Sequence, residues 1–373
     1  MMAERTYRIC TRCVMDTSAA NISFNSEGVC NYCIEFLNRS KNTLFMTEVE
    51  RARKLNDFVA KVKADGRGKP YDCIVGISGG ADSAYSLYLA KKEGLRPLAV
   101  HMDNGWDSEL AASNIENLIC KMGVDLYTHV IDWNEYKSLM QAFFDADVID
   151  VELLYDNAML AVNYQLAAKY GLKWILAGTN EATEGMLLPT NWNWFKRDKK
   201  NIRSLAATRA VKIRTFPLLG TLDFIYYEFV RKAKWVSFLD FVDYNKNRCI
   251  ELLQNQFGFR PYPHKHYESI FTRFYQGYIL PNKFRVDKRK VHLSTLIICG
   301  QLKRDAAIAI LAESPYPSEQ ALKEDIDYFL KKMGWSKKQL EDYLARPEQT
   351  HARYGTEKPL WDFCLGVYRK ISD

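Results

Sequence analysis

The chain has 373 residues, a length that suits about two or three domains. Hydrophobic residues make up 47% and charged residues 26%, which is the composition of a globular protein rather than a disordered one. The net charge of +7 favours anionic partners such as nucleotides, nucleotide-linked sugars or RNA. The N-terminus lacks the apolar segment of a signal peptide, and no run of about 20 uncharged apolar residues exists, so we expect a cytoplasmic location and no membrane span.

Two C-x-x-C pairs lie near the N-terminus. Cys10 and Cys13 form the first pair, and Cys30 and Cys33 form the second. Each such turn points two thiolates at one position, and this spacing is typical of a zinc ribbon or knuckle. Four thiolates leave no open coordination position, so the pattern predicts a structural zinc site in residues 1–45. Free thiols, a redox pair or an iron–sulfur cluster are the alternatives.

The next segment separates this element from the rest of the chain. Residues 48–62 place their apolar side chains on one helical face, and the Gly- and Pro-containing run 64–70 is typical of a linker. We therefore interpret residues 46–70 as a helix and linker.

From residue 71 onward, short apolar runs alternate with helical patterns. The runs 73–77, 98–102, 126–131 and 174–177 are predicted strands, separated by helices. This repetition predicts an α/β fold with a doubly wound parallel sheet over residues 71–220. Ligands bind at the carboxyl ends of the strands in such sheets.

A glycine-rich turn, S-G-G-A-D-S, follows the first predicted strand and precedes a helix. Backbone N–H groups and the positive end of the helix can surround a phosphate there, and the glycines let the backbone approach it. The Ser78 and Ser83 hydroxyls can add donors. Asp82 suits an anion site only when a cation such as Mg²⁺ lies between its carboxylate and the phosphates.

This turn resembles the SGGxDS pyrophosphate loop of the N-type ATP pyrophosphatases, or PP-loop enzymes, which share an adenine nucleotide alpha hydrolase-like fold. The superfamily includes GMP synthetase, NAD synthetase, asparagine synthetase and the tRNA-thiolating enzymes. The G-K-[ST] ending of a Walker loop is absent. The resemblance implies that ATP is bound by Ser78, Gly79, Gly80, Asp82 and Ser83.

The string H-M-D-N-G-W ends the second predicted strand. Its D-N-G portion resembles the turn of GMP synthetase at which the strand edge meets adenine and ribose. The resemblance implies that His101 and Asp103 contact ATP.

The string G-T-N-E-A-T-E follows the fourth predicted strand. It resembles the GT-x-x-x-x-E element of NAD synthetase, whose last acid holds Mg²⁺. The resemblance implies that Gly178 and Thr179 contact ATP and that Glu184 binds magnesium together with Asp82.

Residues 221–373 are predicted to form a helical region that completes the substrate site. An aromatic-rich helical segment spans 224–257, and a helical hairpin spans 318–346. His264 and His266 are close enough in sequence to ligate a metal, but no Cys or acid motif accompanies them.

Basic side chains cluster in the same region, at residues 283–290. Lys283, Lys288 and Arg289 are predicted to clamp phosphates, either on the ATP tail or on departing pyrophosphate. We expect Lys283 and Lys288 to stabilise the charge that develops in the reaction.

These elements occur together with a late block, Y-E-S-I-F-T-R-F-Y-Q-G-Y-I-L-P followed by D-K-R-K-V-H-L-S. The combination resembles, over nearly the full chain, the N-acetyl sugar amidotransferase family of bacterial lipopolysaccharide and pseudaminic- or legionaminic-type sugar pathways. The resemblance implies an ATP-dependent conversion of a sugar N-acetyl group, free or nucleotide-linked, into an acetamidino group through an O-adenylyl imidate. It also implies a separate glutaminase that supplies ammonia.

A tRNA-thiolating enzyme is the main alternative, because such enzymes join a cysteine-rich element to the same loop and a basic chain suits tRNA. They also need cysteines that carry sulfur. The five cysteines outside the N-terminal pairs are scattered and form no C-x-x-C, so nucleic acid is the less favoured partner: Cys73, Cys120, Cys249, Cys299 and Cys364. A zinc-binding adaptor that senses ATP without turnover is a third interpretation.

Overall fold

A five-stranded parallel sheet forms the centre of the protein. The computed structural model describes residues 6–262 and 267–372, and within these ranges the strand order is β3-β2-β1-β4-β5, with all neighbours parallel. The chain runs from β1 towards one edge and then returns to β4 on the other side of β1. The strands are β1 (Cys73–Gly76), β2 (Pro97–Asp103), β3 (Asp125–Val130), β4 (Trp174–Ala177) and β5 (Lys234–Ser237).

The first four strands lie where the sequence predicts them, and the predicted fold class is confirmed. The fifth strand falls within the segment 224–257, for which the sequence predicts helix only. β5 has four residues and follows the short helical turns of 221–230, so its local pattern is too brief to be read as a strand. Its pairing with β4 extends the sheet past residue 220.

Helices cover both faces of the sheet. One apolar core joins Leu98, Val100 and Met102 of β2 to the helices of the first face, and a second core joins Val75 and Ala99 to the helices of the other. The first face carries α5 (Trp133–Asp145) and α6 (Leu153–Lys169), and the other carries α2 (Glu48–Asp65), α3 (Ala81–Lys92) and α4 (Glu109–Met122). Three shorter helices and the N-terminal one complete this part: α1 (Asn31–Leu44), α7 (Glu181–Glu184), α8 (Lys199–Ala207) and α9 (Thr221–Ile225).

The C-terminal region is helical, as predicted. A π-helical segment, Tyr275–Phe284, interrupts it, and the predicted hairpin corresponds to two helices that meet at Gly334, whose φ of +69° ends the first of them. The α-helices are α10 (Lys246–Phe257), α11 (Ile270–Phe274), α12 (Arg289–Ile298), α13 (Arg304–Ala312), α14 (Glu319–Met333), α15 (Lys337–Ala345) and α16 (Lys358–Ser372). No helix within the described ranges combines the length and apolar character needed to cross a membrane.

Two backbone hydrogen bonds attach the segment at the start of α11 to the loop after β2. Ser108 N donates to Glu268 O at 2.9 Å, and Ile270 N donates to Trp106 O at 2.9 Å. The Trp106 indole is fully buried and contacts the rings of Phe271 and Phe329. The helical region is therefore attached at the carboxyl edge of the sheet.

A buried ion pair ties two of the C-terminal helices together. Arg273 Nε of α11 donates to Asp325 Oδ2 of α14 at 2.6 Å, and Tyr316 Oη donates to the same oxygen at 3.0 Å. Because the carboxylate is almost wholly shielded from water, its charge depends on both partners.

We expect Asp325→Asn to lower the free energy of unfolding by about 3 kcal/mol, because it leaves the Arg273 charge without a counterion in a buried position. Urea denaturation followed by circular dichroism measures the change. Glu324→Gln, at an exposed neighbouring position, is the matched control and should stay within about 0.5 kcal/mol of the parent. Equal stability of the two variants would contradict the assigned role of the pair.

Candidate active site and metal centre

The glycine-rich turn forms a closed loop between β1 and α3. Ser78 N donates to Ser83 Oγ at 3.2 Å, and Gly80 N approaches Ser78 Oγ at 3.4 Å. Ser83 Oγ donates in turn to Gly80 O at 3.1 Å. These bonds arise locally, because the residues are at most five positions apart. They hold the first turn of α3 with its N–H groups at the carboxyl edge of the sheet.

Two glycines permit this packing because no side chain would fit. Gly79 has a φ of +80°, and a Cβ there would lie 2.9 Å from the backbone of Ala111. A Cβ on Gly178, at the end of β4, would lie 2.6 Å from Ser83 N. The loop is therefore enclosed by α4 on one side and by the end of β4 on the other.

A cavity of about 440 Å³ opens beside this loop. It lies at the carboxyl ends of β1, β2 and β4, where the chain reverses direction across the sheet, which is the usual ligand position in open parallel sheets. Its volume is in the range of small-molecule sites. Its polar and apolar lining includes Ser78, Gly80, Asp82, Ser83, Met102, Tyr155, Met159, Asn163, Gly178, Thr179, Glu184, Trp235, Lys246, Tyr262, Glu268 and His292.

Asp82 and Glu184 both line this cavity, as the sequence predicts for a magnesium pair. The Tyr244 hydroxyl donates to Asp82 Oδ1, and Lys246 Nζ lies 3.5 Å from Asp82 Oδ2. Burial, followed by the negative charge of Asp82, raises the pKa of Tyr244, so its hydroxyl stays a donor. Carboxylate oxygens beside a loop of the phosphate-binding type suit a hard cation. Asp82 and Glu184 therefore fit Mg²⁺.

Helix α7 carries Glu184 and is held from two sides. From α1, Arg39 forms an ion pair with Glu181 at 2.6 Å. From α12, His292 Nδ1 lies 3.0 Å from the carbonyl oxygen of Thr183. The position of Glu184 therefore depends on both the N-terminal element and the C-terminal region.

The four N-terminal cysteines converge as the sequence predicts, and all are fully buried. The Sγ–Sγ distances are 3.9 Å between Cys10 and Cys33, 3.8 Å between Cys13 and Cys30, and 3.6 Å between Cys30 and Cys33. A tetrahedral zinc ion with Zn–S bonds of about 2.3 Å separates its sulfur ligands by about 3.8 Å. The cluster therefore fits a structural zinc ion.

The cysteine cluster packs against the C-terminal helices. Arg304 donates to the carbonyl oxygens of Cys13 and Cys10 at 3.1 and 2.9 Å. Lys290 forms an ion pair with the buried Asp16 at 2.5 Å. The element therefore bridges the sheet domain, through α1, and the helical region, through α12 and α13.

Comparison with known families gives two matches along the chain. Residues 51–211 match the family described as NAD synthase, and residues 268–368 match the C-terminal domain of WbpG-like LPS biosynthesis proteins. The chain combines a PP-loop domain with a WbpG-like C-terminal domain.

The similarity to individual proteins is either confined to a short stretch or low in sequence identity. The tRNA(Ile)-lysidine synthase of Chlamydia pneumoniae is 42% identical over 59 residues, which cover 15% of this chain and 18% of that protein. The NMN synthetase of Francisella tularensis is 16% identical, with 59% of this chain and 99% of that one covered and a TM-score of 0.31. The NH3-dependent NAD synthetase of Campylobacter jejuni subsp. jejuni, in complex with the nitrate ion, is 16% identical, with coverages of 57% and 94% and a TM-score of 0.30.

Two predicted ATP contacts on β2 of the PP-loop domain do not face the cavity. Side chains alternate along a strand, so Val100 and Met102 line the cavity whereas His101 and Asp103 point elsewhere. His101 Nδ1 lies 3.1 Å from Ile77 O, and Nε2 lies 2.9 Å from Asp107 Oδ2. Burial lowers the pKa of His101, but the Asp107 carboxylate outweighs it and the net pKa is raised. Through its two contacts, His101 connects the end of β2 to the residue after β1 and to Asp107.

The three predicted phosphate clamps of the C-terminal region also lie outside the cavity lining, and each is paired elsewhere. Lys283 Nζ is 2.9 Å from Asp147 Oδ1 and donates to two backbone carbonyls of 343–346. Lys288 pairs with Glu152 at 2.7 Å. Arg289 pairs with Asp287 and donates to the carbonyls that end α13. The clustering of basic residues in the sequence therefore did not reveal which of them face the cavity, because tertiary pairing engages all three cations.

Of the Lys and Arg residues that the structure describes, the cavity lining includes Lys246. Its ammonium group lies near the PP-loop, 3.5 Å from Asp82 Oδ2. Lys246 occupies the first turn of α10, whose N-cap Asn245 accepts a hydrogen bond from Arg248 N at 3.1 Å. The N-K-N-R string was the available signal, since Asn before a basic first turn marks a helix start. The sequence also did not indicate that Glu268 and His292 of the WbpG-like domain line the cavity. No local pattern shows that these two segments pack against the carboxyl edge of the sheet.

We expect the purified protein to contain one zinc ion per chain, and Cys13→Ser to lose it together with thermal stability, because three thiolates hold the ion less well than four. Elemental analysis and differential scanning fluorimetry give the two readouts. Cys120→Ser, at an exposed cysteine, should change neither. Iron in place of zinc would contradict the zinc assignment, and full stability of Cys13→Ser would contradict the structural role.

Proposed function

We propose that the protein is an ATP-dependent amidotransferase that converts the N-acetyl group of a sugar, free or nucleotide-linked, into an acetamidino group during bacterial surface polysaccharide synthesis. One observation carries this proposal. The cavity beside the PP-loop is also lined by Glu268 and His292 of the WbpG-like domain. A nucleotide held by the PP-loop would therefore meet a substrate recognised by the WbpG-like domain.

The proposed reaction overcomes the poor leaving ability of an amide oxygen. The acetamide oxygen attacks the α-phosphorus of ATP and forms a P–O bond while pyrophosphate leaves. The resulting O-adenylyl imidate is attacked by ammonia at its carbon, and the C–O bond then breaks to release AMP. Acetamide, ATP and ammonia thus give the amidinium, AMP and pyrophosphate, and no protein nucleophile is needed.

The residues at the cavity suit positioning and charge stabilisation. The backbone N–H groups of the PP-loop and the hydroxyls of Ser78 and Ser83 would hold the pyrophosphate portion of ATP. Asp82 and Glu184 would hold Mg²⁺, which neutralises phosphate charge when bound. Lys246 takes the role that the sequence assigned to Lys283 and Lys288, because its ammonium lies at the loop.

Ammonia would come from a separate glutaminase, because glutamine hydrolysis by such enzymes uses a reactive thiolate and no cysteine is among the described residues that line the cavity. Four cysteines lie in the N-terminal cluster, and burial raises the pKa of Cys249 and of Cys299 to about 12 in each case. We place the reaction in the cytoplasm, where ATP is present. The raised pKa values also argue against sulfur transfer by Cys249 and Cys299.

We expect incubation with ATP, Mg²⁺, ammonium and N-acetylated sugars, both free and nucleotide-linked, to yield AMP, pyrophosphate and an amidine product in equal amounts. Chromatography with mass spectrometry measures all three. Asp82→Ala should abolish AMP formation, because it removes a cation ligand, and should keep its zinc, because the cavity lining and the cysteine cluster share no residue. AMP formation that depends on tRNA and a sulfur donor, and not on a sugar, would overturn the proposal.

A pair of lysine variants tests the assignment of the cation. Lys246→Met should lower the rate of AMP formation about 100- to 1,000-fold without loss of stability, because it removes a charge aimed at the reacting phosphates. Lys283→Met should instead lower the free energy of unfolding by about 1–3 kcal/mol, since it leaves buried acceptors unpaired, and keep the activity of the folded fraction. Steady-state kinetics and urea denaturation of both variants distinguish these effects, and the reverse pattern would contradict the assignment.

A further inference from the structure

Asn163 lines the PP-loop cavity and carries a buried hydrogen-bond acceptor. Its residue is 2% exposed and lines the cavity from α6. Its Nδ2 donates to Met159 O at 2.8 Å, which fixes the orientation of the amide group. Its Oδ1 has no hydrogen-bond partner among the described residues. Buried acceptors are rarely left unpaired, so a ligand atom is the natural partner of this oxygen.

The part of the cavity lining around Asn163 forms a largely apolar slot. Met159 lies one helical turn earlier on the same face of α6, and Met102 of β2 and Trp235 of β5 also line the cavity. A Cβ on Gly76, the last residue of β1, would lie 3.7 Å from Asn163 Oδ1, so this oxygen lies close to the end of β1. The slot therefore offers apolar contacts beside the Asn163 acceptor.

This slot is continuous with the phosphate-binding turn. Gly76 precedes Ser78 by two residues, and both line the same cavity. A group in the slot would therefore belong either to a molecule whose phosphates reach the PP-loop or to a second substrate bound beside that molecule. The matching chemistry is a planar group that carries an N–H at its edge.

We propose that Asn163 Oδ1 accepts a hydrogen bond from the 6-amino group of adenine and so selects ATP. This inference rests on the proposed function in taking ATP as the ligand. An acetamide N–H of the sugar substrate has the same donor chemistry and is the second source of the bond. Inosine triphosphate carries a carbonyl oxygen in place of the 6-amino group. This oxygen would face Asn163 Oδ1, and two hydrogen-bond acceptors cannot pair.

The test compares ATP and inosine triphosphate binding to the full chain by isothermal titration calorimetry in the presence of Mg²⁺. Asn163→Leu should weaken ATP binding about 5- to 10-fold and leave inosine triphosphate binding unchanged or stronger, so that the discrimination between the two disappears. Its melting temperature should not fall, because a side chain of similar size replaces an unpaired buried oxygen. Asn163→Ala gives the same comparison if the leucine variant does not fold.

Gln165→Leu, an exposed position on the same helix, is the matched control and should bind both nucleotides as the parent does. A raised KM for the sugar with unchanged nucleotide binding would assign the bond to the acetamide instead of adenine. Unchanged nucleotide binding together with an unchanged sugar KM would overturn the inference while the parent's ATP binding leaves the proposed function standing. A parent protein that binds no ATP would overturn both.

Discussion

The close contact of three backbone segments at the carboxyl edge of the sheet is the constraint on which the site depends. The PP-loop lies directly against α4 at Gly79 and against the end of β4 at Gly178, at distances that exclude any Cβ. These contacts aim the first turn of α3 and its N–H groups at the cavity. A side chain at either position would displace the loop, so the two glycines set the geometry for every other group around the phosphates.

Helix α7 shows how distant parts of the chain share control of the site. It carries Glu184 and is contacted by α1 of the cysteine element and by α12 of the WbpG-like domain. The cysteine cluster is itself joined to α13 through Arg304. A metal that holds the cluster rigid would therefore also stabilise the position of a cavity carboxylate, although the two sites share no residue. A structural ion in the cluster would thus take an indirect part in the geometry of the cavity.

Charge is distributed unevenly between the cavity and the rest of the molecule. The chain carries a net charge of +7, yet its described cavity lining holds Asp82, Glu184 and Glu268 and, of the Lys and Arg residues, Lys246. The other lysines considered for phosphate binding neutralise buried carboxylates. Under the proposed function, phosphates in such a cavity would be held by N–H groups, the α3 N-terminus, Lys246 and a cation bound by the acids.

The sequence by itself determined those features whose pattern lies within a short stretch of chain: the strand, glycine turn and helix of the PP-loop, the two C-x-x-C pairs, and the helical hairpin that turns at Gly334. Local hydrogen bonds and backbone conformations suffice to form them, so local patterns reveal them. Tertiary structure alone decided which face of β2 meets the cavity, that residues 234–237 form an edge strand, and that Lys246 and not Lys283 faces the loop. Those outcomes depend on burial and on ion pairs with residues remote in the chain, such as Asp147 with Lys283, and no local pattern carries that information.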